Sequence, residues 1–142
     1  MANDILEKID VLFENRIDTY EEHMMSESHI RNGYLKIAEL LPENSKVLLD
    51  LGCGTGLELI EIFKRFPDIN ITGIDMSQKM LDKLLEKFAG KNINLIKANY
   101  LEYNFGKNIF DTVISYQTLH HFEYEEKIKL YRKIFNALVP NG

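Results

Sequence analysis

The stretch that most constrains this chain is Val47 to Gly56, VLLDLGCGTG. Its first five residues, apolar apart from Asp50, read as a strand buried on both faces. Glycines then fall at alternate positions, Gly52, Gly54 and Gly56. Leu57, Ile60 and Phe63 follow at helical spacing, with Ile62 and Phe66 widening the same face. A strand, a glycine turn and a helix in this order make the ligand crevice of a doubly wound sheet.

The turn also limits what the crevice holds. A dinucleotide fingerprint, G-x-G-x-x-G/A, needs a small third residue so that helix and strand pack closely and the helix N-terminus meets a pyrophosphate. That slot is Leu57, and no lysine or arginine occurs from Val47 through Phe63. Asp50 stands instead at the carboxyl end of the strand, so the turn suits a ligand that carries a cation and no phosphate.

The rest of the chain supplies alternating helices and strands. Asp4 to Phe13 carries one apolar stripe, with Asp4 and Glu7 at capping-box spacing. Glu14 to Ser28 is polar and acidic, a lid or mobile cap containing Tyr20, Met24 and Met25. Ile30, Tyr34, Ile37, Ala38 and Leu41 form the helix that precedes the sheet, closed by Pro42. A second strand, Ile71 to Ile74, ends at Asp75, and Ser77 caps a helix whose face is Met80, Leu81, Leu84, Leu85 and Phe88. Nineteen residues separate Gly56 from Asp75, close to the interval at which nucleoside-binding sheets place the acid that takes two ribose hydroxyls. Met76 would then lie against the adenine. A third strand spans Ile93 to Ala98 and a fourth Phe110 to Ser115. The last helix is expected to bury Tyr124, Ile128, Tyr131, Ile134, Phe135 and Leu138.

Composition narrows the setting. A chain of 142 residues accommodates one domain with a real core. No apolar run reaches 18 residues, no signal segment opens the chain and only one cysteine is present, so a cytoplasmic protein without membrane contact is expected. The net charge of −5 is concentrated in Met1 to Ser45, which holds ten acids and four bases. Lys79, Lys83, Lys87 and Lys91 share one helix face, read as solvated rather than as a nucleic-acid contact. No metal site is expected, since His23 and His29 lie six apart and His120 and His121 are adjacent and diverge. Cys53 sits among acids, which raise a thiol pKa, so its small size explains it better than a nucleophilic role.

VLLDLGCGTG resembles motif I of class I S-adenosylmethionine-dependent methyltransferases, and GIDMS (Gly73 to Ser77) and FDTVISYQTLHHF (Phe110 to Phe122) resemble their later motifs. The similarity runs from about Ile30 to the last residue. It implies a Rossmann-like α/β fold with parallel strands in the order 3-2-1-4, a helical cap over residues 1–45 and a cofactor domain over 46–142. It also implies S-adenosylmethionine as cofactor. By position, Gly52, Gly54 and Gly56 would lie against its methionine part, Asp50 would help hold its ammonium group and Asp75 would grip the ribose. Asn99 replaces the acid that commonly accepts from the adenine amine, and an amide carbonyl still accepts that bond. Cys53, Tyr100 and Ser115 complete the expected cofactor set. In related enzymes a tyrosine of the N-terminal segment often touches the ligand, and Tyr20 is the candidate here.

The fourth strand ends in Ser115-Tyr116-Gln117-Thr118 rather than in the Asn/Asp-Pro-Pro-Tyr/Phe of enzymes acting on nucleic-acid bases or glutamine amides. The resemblance is therefore to enzymes with small-molecule acceptors. His120 and His121 are candidate general bases at the pocket mouth, against the alternative that one is structural. Two other functions stay open, a nucleoside-binding module without turnover and an NAD(P)-dependent oxidoreductase, the latter disfavoured by Leu57. The family fold continues past a turn like Pro140-Asn141-Gly142 into three more strands. The chain is accordingly expected either to be a fragment or to associate through the exposed edge of the fourth strand, as a dimer or with a partner chain.

Overall fold

The computed structural model describes residues 16–142 together with Asp4, Lys8, Val11 and Leu12. The helix read over Asp4 to Phe13 falls mostly outside the described residues. Within them the elements run α1 (Ile17–Ser26), α2 (Ser28–Leu40), β1 (Val47–Leu51), α3 (Leu57–Arg65), β2 (Asn70–Asp75), α4 (Gln78–Lys87), β3 (Ile93–Lys97), β4 (Thr112–Ile114) and α5 (Tyr124–Ala137). A single 3-10 turn, Leu119–His121, lies between β4 and α5. The acidic segment expected to be a loose cap is thus a helix, α1, although none of its residues is fully buried.

The four strands form one parallel sheet in the order β3-β2-β1-β4. Because β1 has a neighbour on each side and helices on each face, its residues from Leu48 to Leu51 are all buried. Side chains alternate across the sheet. Leu48 and Ile71 pack with Ala38, Leu59, Ile62 and Leu84 under α2, α3 and α4. Leu49, Leu51 and Ile74 pack on the other face with Phe105, Phe122, Leu130 and Ala137. Each such side chain contributes about 1.5–3 kcal/mol when fully buried.

Polar ties fix the ends of these elements. Asp111 Oδ2 accepts from the Lys46 and Val47 amides at 2.8 and 2.9 Å, setting the start of β1 against β4. Arg65, at the end of α3, donates to the carbonyls of Ala38, Glu39 and Leu41 at 2.6, 2.9 and 3.0 Å, supplying partners to the last carbonyls of α2. Glu123 and Glu126 form the capping box of α5.

Three expected faces are corrected. On α3 the buried positions are Leu57, Glu58, Leu59, Ile62 and Phe63, with Ile60 only partly covered, because the helix axis turns its Leu59 side to the sheet. On α4, Leu85 is 56 % exposed. On α5, Leu130 and Ala137 are buried, whereas Tyr124 and Phe135 are 76 % and 78 % exposed and Tyr131 is half-exposed. The apolar residues of this helix form one broad face, and packing on the sheet covers only the edge of it that carries Leu130 and the small Ala137. β4 is also shorter than expected. Phe110 pairs outward instead, donating to Ala137 O at 3.1 Å and accepting from the Val139 amide at 2.8 Å.

Candidate active site

The carboxyl ends of β1, β2 and β3 open into a cavity of about 250 Å³, roofed by Tyr20 and Met24 of α1 and by Ile30 and Tyr34 of α2. This is where an open α/β sheet binds ligands. The floor is the glycine turn. Gly52, Gly54 and Gly56 have φ of 74°, 52° and 77°, left-handed values that side chains resist. Their surroundings differ. A Cβ on Gly52 would lie 2.5 Å from Thr118 Cγ2, and one on Gly56 would lie 2.9 Å from Leu84 Cγ. One on Gly54 would face the cavity, 3.6 Å from the Tyr20 hydroxyl. Gly54 is therefore the floor of the cavity, while Gly56 serves the packing of α4 against the turn.

Asp75 ends β2 with both carboxylate oxygens engaged. Oδ2 accepts from the Gly54 amide at 2.9 Å and Oδ1 from the Ser77 amide at 3.0 Å. Asp75 lines the cavity together with Met76, Asn99 and Tyr100. Asn99 Oδ1 accepts from the Leu101 amide at 2.9 Å, which folds the loop after β3 into an Asx turn. The same loop is held from behind by Lys133 of α5, whose Nζ donates to the carbonyls of Tyr100 and Leu101 at 2.8 and 2.9 Å.

Two expected residues lie behind the wall. Asp50 is 1 % exposed and sits beneath the turn, where burial, then the charge of Glu58, raises its carboxyl well above the usual carboxylate range. Ser115 does not line the cavity either. Its hydroxyl donates to Leu51 O at 3.1 Å and shares a 2.7 Å hydrogen bond with the Thr118 hydroxyl, which also accepts from Tyr100 at 3.0 Å. This network holds Thr118 against Gly52, a role the sequence does not announce. Cys53 lines the cavity but is 2 % exposed, and its Sγ fills the space a side chain at Gly73 would need. Burial, then the charges of Asp50, Asp75 and Glu58, raises its thiol well above the ordinary range, so it stays protonated.

Glu58 is the residue the sequence reading missed. It belongs to an apparent solvent position in the first turn of α3, yet it is 7 % exposed and faces the cavity. Glu58 and Asp75 thus line, with Asp50 buried behind them, a cavity whose described lining contains no lysine or arginine. Burial, then Glu58 and Asp75, also keeps the Tyr20 hydroxyl protonated. The nearest ammonium, Lys87, is committed elsewhere. It pairs with Glu21 of α1 and donates to Thr55 O at 3.1 Å, while Lys83 reaches Ile17 O at 3.4 Å. These two members of the expected solvated lysine row in fact clasp α1 to α4.

His120 and His121 both line the cavity, on the 3-10 turn after β4. They do not diverge as expected, because the 3-10 turn brings their ring centroids to 3.9 Å. Burial, then His120, lowers the His121 pKa from its ordinary value. Among the described residues no group of three metal-ligating side chains occurs. Nor is any described helix long and apolar enough to cross a membrane.

A parallel sheet with a glycine turn after β1, an acid ending β2 and a cavity at the carboxyl ends of its strands defines a Rossmann-like domain. The family model described as "Methyltransferase domain" matches residues 48–142, and the chain belongs to that family. It is similar to phosphoethanolamine N-methyltransferase of Plasmodium falciparum, 31 % identical over 128 residues that cover 85 % of this chain and 47 % of that protein. Carboxy-S-adenosyl-L-methionine synthase of Campylobacter concisus is 34 % identical over 108 residues, covering 75 % and 45 %. The crystal structure of an S-adenosylmethionine-dependent methyltransferase from Mesorhizobium loti matches with TM-score 0.64 and 27 % identity, over 76 % of this chain and 48 % of that one. The chain spans about half the length of these relatives.

Proposed function

We propose that the cavity binds S-adenosylmethionine and that the protein transfers its methyl group to a small-molecule acceptor. The observation that carries this reading is that Glu58 and Asp75, with Asp50 buried behind them, face a cavity lined among the described residues by no lysine or arginine. Such a site repels phosphates and favours a ligand with fixed positive charge. Gly54 and Asp75 together make a cradle that a nucleoside fits, with Asp75 lining the cavity where ribose hydroxyls would donate to its carboxylate. Asp50 acts from beneath the turn through Glu58, and Ser115 acts through Thr118, so neither is a direct contact.

When bound, the donor supplies a methyl group on a sulfonium, a leaving group that needs no further activation. The work of the chain is then to position two reactants and exclude water. Tyr20, Met24 and Tyr34 close the cavity from above, which fits residues 1–45 acting as a cap over a cofactor domain. His121, held neutral, is placed at the mouth to accept a proton from a hydroxyl or amine acceptor, with His120 against its ring. The lone, buried Cys53 suits a reducing compartment, the cytoplasm.

The outer edge of β4 has no strand beside it among the described residues, and Tyr124, Tyr131 and Phe135 of α5 are exposed, features suited to a partner strand or a second copy of the chain. Sedimentation velocity tests this: self-association is expected, and a monomer at all concentrations contradicts a dimer. The function itself is tested by an acceptor screen with labelled S-adenosylmethionine. Label transfer to hydroxyl or amine acceptors is expected from the full-length protein, and binding without transfer to any acceptor would instead make it a non-catalytic module.

A further inference from the structure

Glu58 and Asp50 make an unusual pair. Both are buried, at 7 % and 1 % exposure, and lie close enough for each to act on the other's ionisation. Two carboxylates buried side by side do not both ionise without a large cost, since each only accepts hydrogen bonds and their charges repel. No N–H or hydroxyl among the described residues donates to Asp50 Oδ2, although the atom is sealed from solvent. A buried carboxylate oxygen without a donor is costly unless a proton or a cation stands there.

The surroundings do not supply that cation. Asp75 faces the pair from the end of β2, Cys53 from the turn, Tyr20 from α1 and Tyr34 from α2, all neutral or negative. His120 and His121 lie across the cavity. Lys87 of α4 is the one described cation acting on Glu58, and its ammonium is held by Glu21 and Thr55 O.

We propose that Asp50 and Glu58 hold one proton between them in the free protein and release it when a cationic donor binds against Glu58, so that donor binding is proton-coupled. The step balances. One carboxyl O–H breaks, the proton leaves to solvent, and the positive charge of the ligand takes its place beside the new carboxylate. Burial, followed for Asp50 by the Glu58 charge, raises both groups in the direction this requires. The proposal rests on the reading of the cavity as a site for S-adenosylmethionine, and it adds Glu58 as the residue that recognises the charge. It implies that affinity rises with pH, by up to about tenfold per unit while the free pair is protonated and the bound pair is not.

Two measurements test it on the whole chain. Titration calorimetry with S-adenosylmethionine at neutral pH, in buffers of low and high ionisation enthalpy, counts protons. About one proton released per donor is expected for the wild type and none for Glu58→Gln, with Asp50→Asn as the second variant that also abolishes release. Saturable binding whose heat does not depend on buffer would overturn the proposal and leave the reading of the site intact, whereas no saturable heat would overturn both. Infrared spectra of the ligand-free protein give an independent readout. The carbonyl stretch of a protonated carboxylic acid is expected at neutral pH in the wild type and not in Asp50→Asn. Its absence from the wild type would overturn the proposal whatever the ligand.

Discussion

The Asp75 carboxylate accepts from the Gly54 amide at 2.9 Å, so the acid that ends β2 also holds the floor of the cavity. The turn geometry therefore depends on the same side chain that the proposed function uses for ligand grip. Asp75→Ala should lower nucleoside affinity at least tenfold, since a charge-assisted hydrogen bond contributes about 1.5–3 kcal/mol and the turn loses its anchor as well. Calorimetry on the variant checks this. Unchanged affinity would remove Asp75 from the ribose site.

Gly33 and Tyr116 provide a prediction of sign. The Tyr116 hydroxyl donates to Ile30 O at 3.1 Å and lies so close to α2 that a Cβ on Gly33 would sit 1.9 Å from it. An alanine in a helix interior normally stabilises by about 1 kcal/mol over glycine. Here Gly33→Ala should destabilise, because it displaces the tyrosine that docks α2 on the loop after β4. In the background of Tyr116→Ala the same substitution should become stabilising. Thermal melts of the three variants decide it, and stabilisation by Gly33→Ala in the wild-type background would contradict the contact.

The acid pair sets a pH dependence of stability. Asp50 and Glu58 are raised above their unfolded values, chiefly by burial. Such groups contribute stability that is fully present below the unfolded pKa, about 4, and is lost as pH rises through the folded value. The ligand-free wild type should therefore lose stability relative to Glu58→Gln as the pH is raised from acid to alkaline. The difference in Tm between the two should grow in favour of the variant. A constant difference across that range would mean that the pair does not titrate.

His121 carries the prediction for turnover. A base acts only when unprotonated, so the rate should rise with pH and level off below the ordinary histidine value of about 6.5, because burial lowers its pKa. His121→Ala should retain donor affinity while losing about 100-fold or more in transfer to an acceptor that must give up a proton. Equal loss of folding stability and activity would mark a packing residue instead.

Much of this architecture was legible in the chain. β1 was readable because a strand buried on both faces leaves a continuous apolar run, and Gly52, Gly54 and Gly56 mark left-handed positions that few other residues occupy. Asp75 followed from its place at a strand end. Glu58 was not readable, since an acid in the first turn of a helix is ordinarily a solvated partner of the helix dipole. Only the fold reveals that this turn points at another buried acid. The α5 face was misjudged for a different reason. Its apolar face is broader than the strip the sheet can cover, so only tertiary packing could choose Leu130 and Ala137 over Tyr131 and Phe135. Thr118 and the Tyr116–Gly33 contact join segments far apart in sequence, which no local pattern records.

The central claim is that the acid-lined cavity takes a cationic nucleoside rather than a dinucleotide. Calorimetry of the whole chain against S-adenosylmethionine and NAD in parallel tests it most directly. The account predicts saturable, one-to-one binding of S-adenosylmethionine, weakened at least tenfold by Asp75→Ala, and no measurable binding of NAD. Binding of NAD with no heat from S-adenosylmethionine would contradict it.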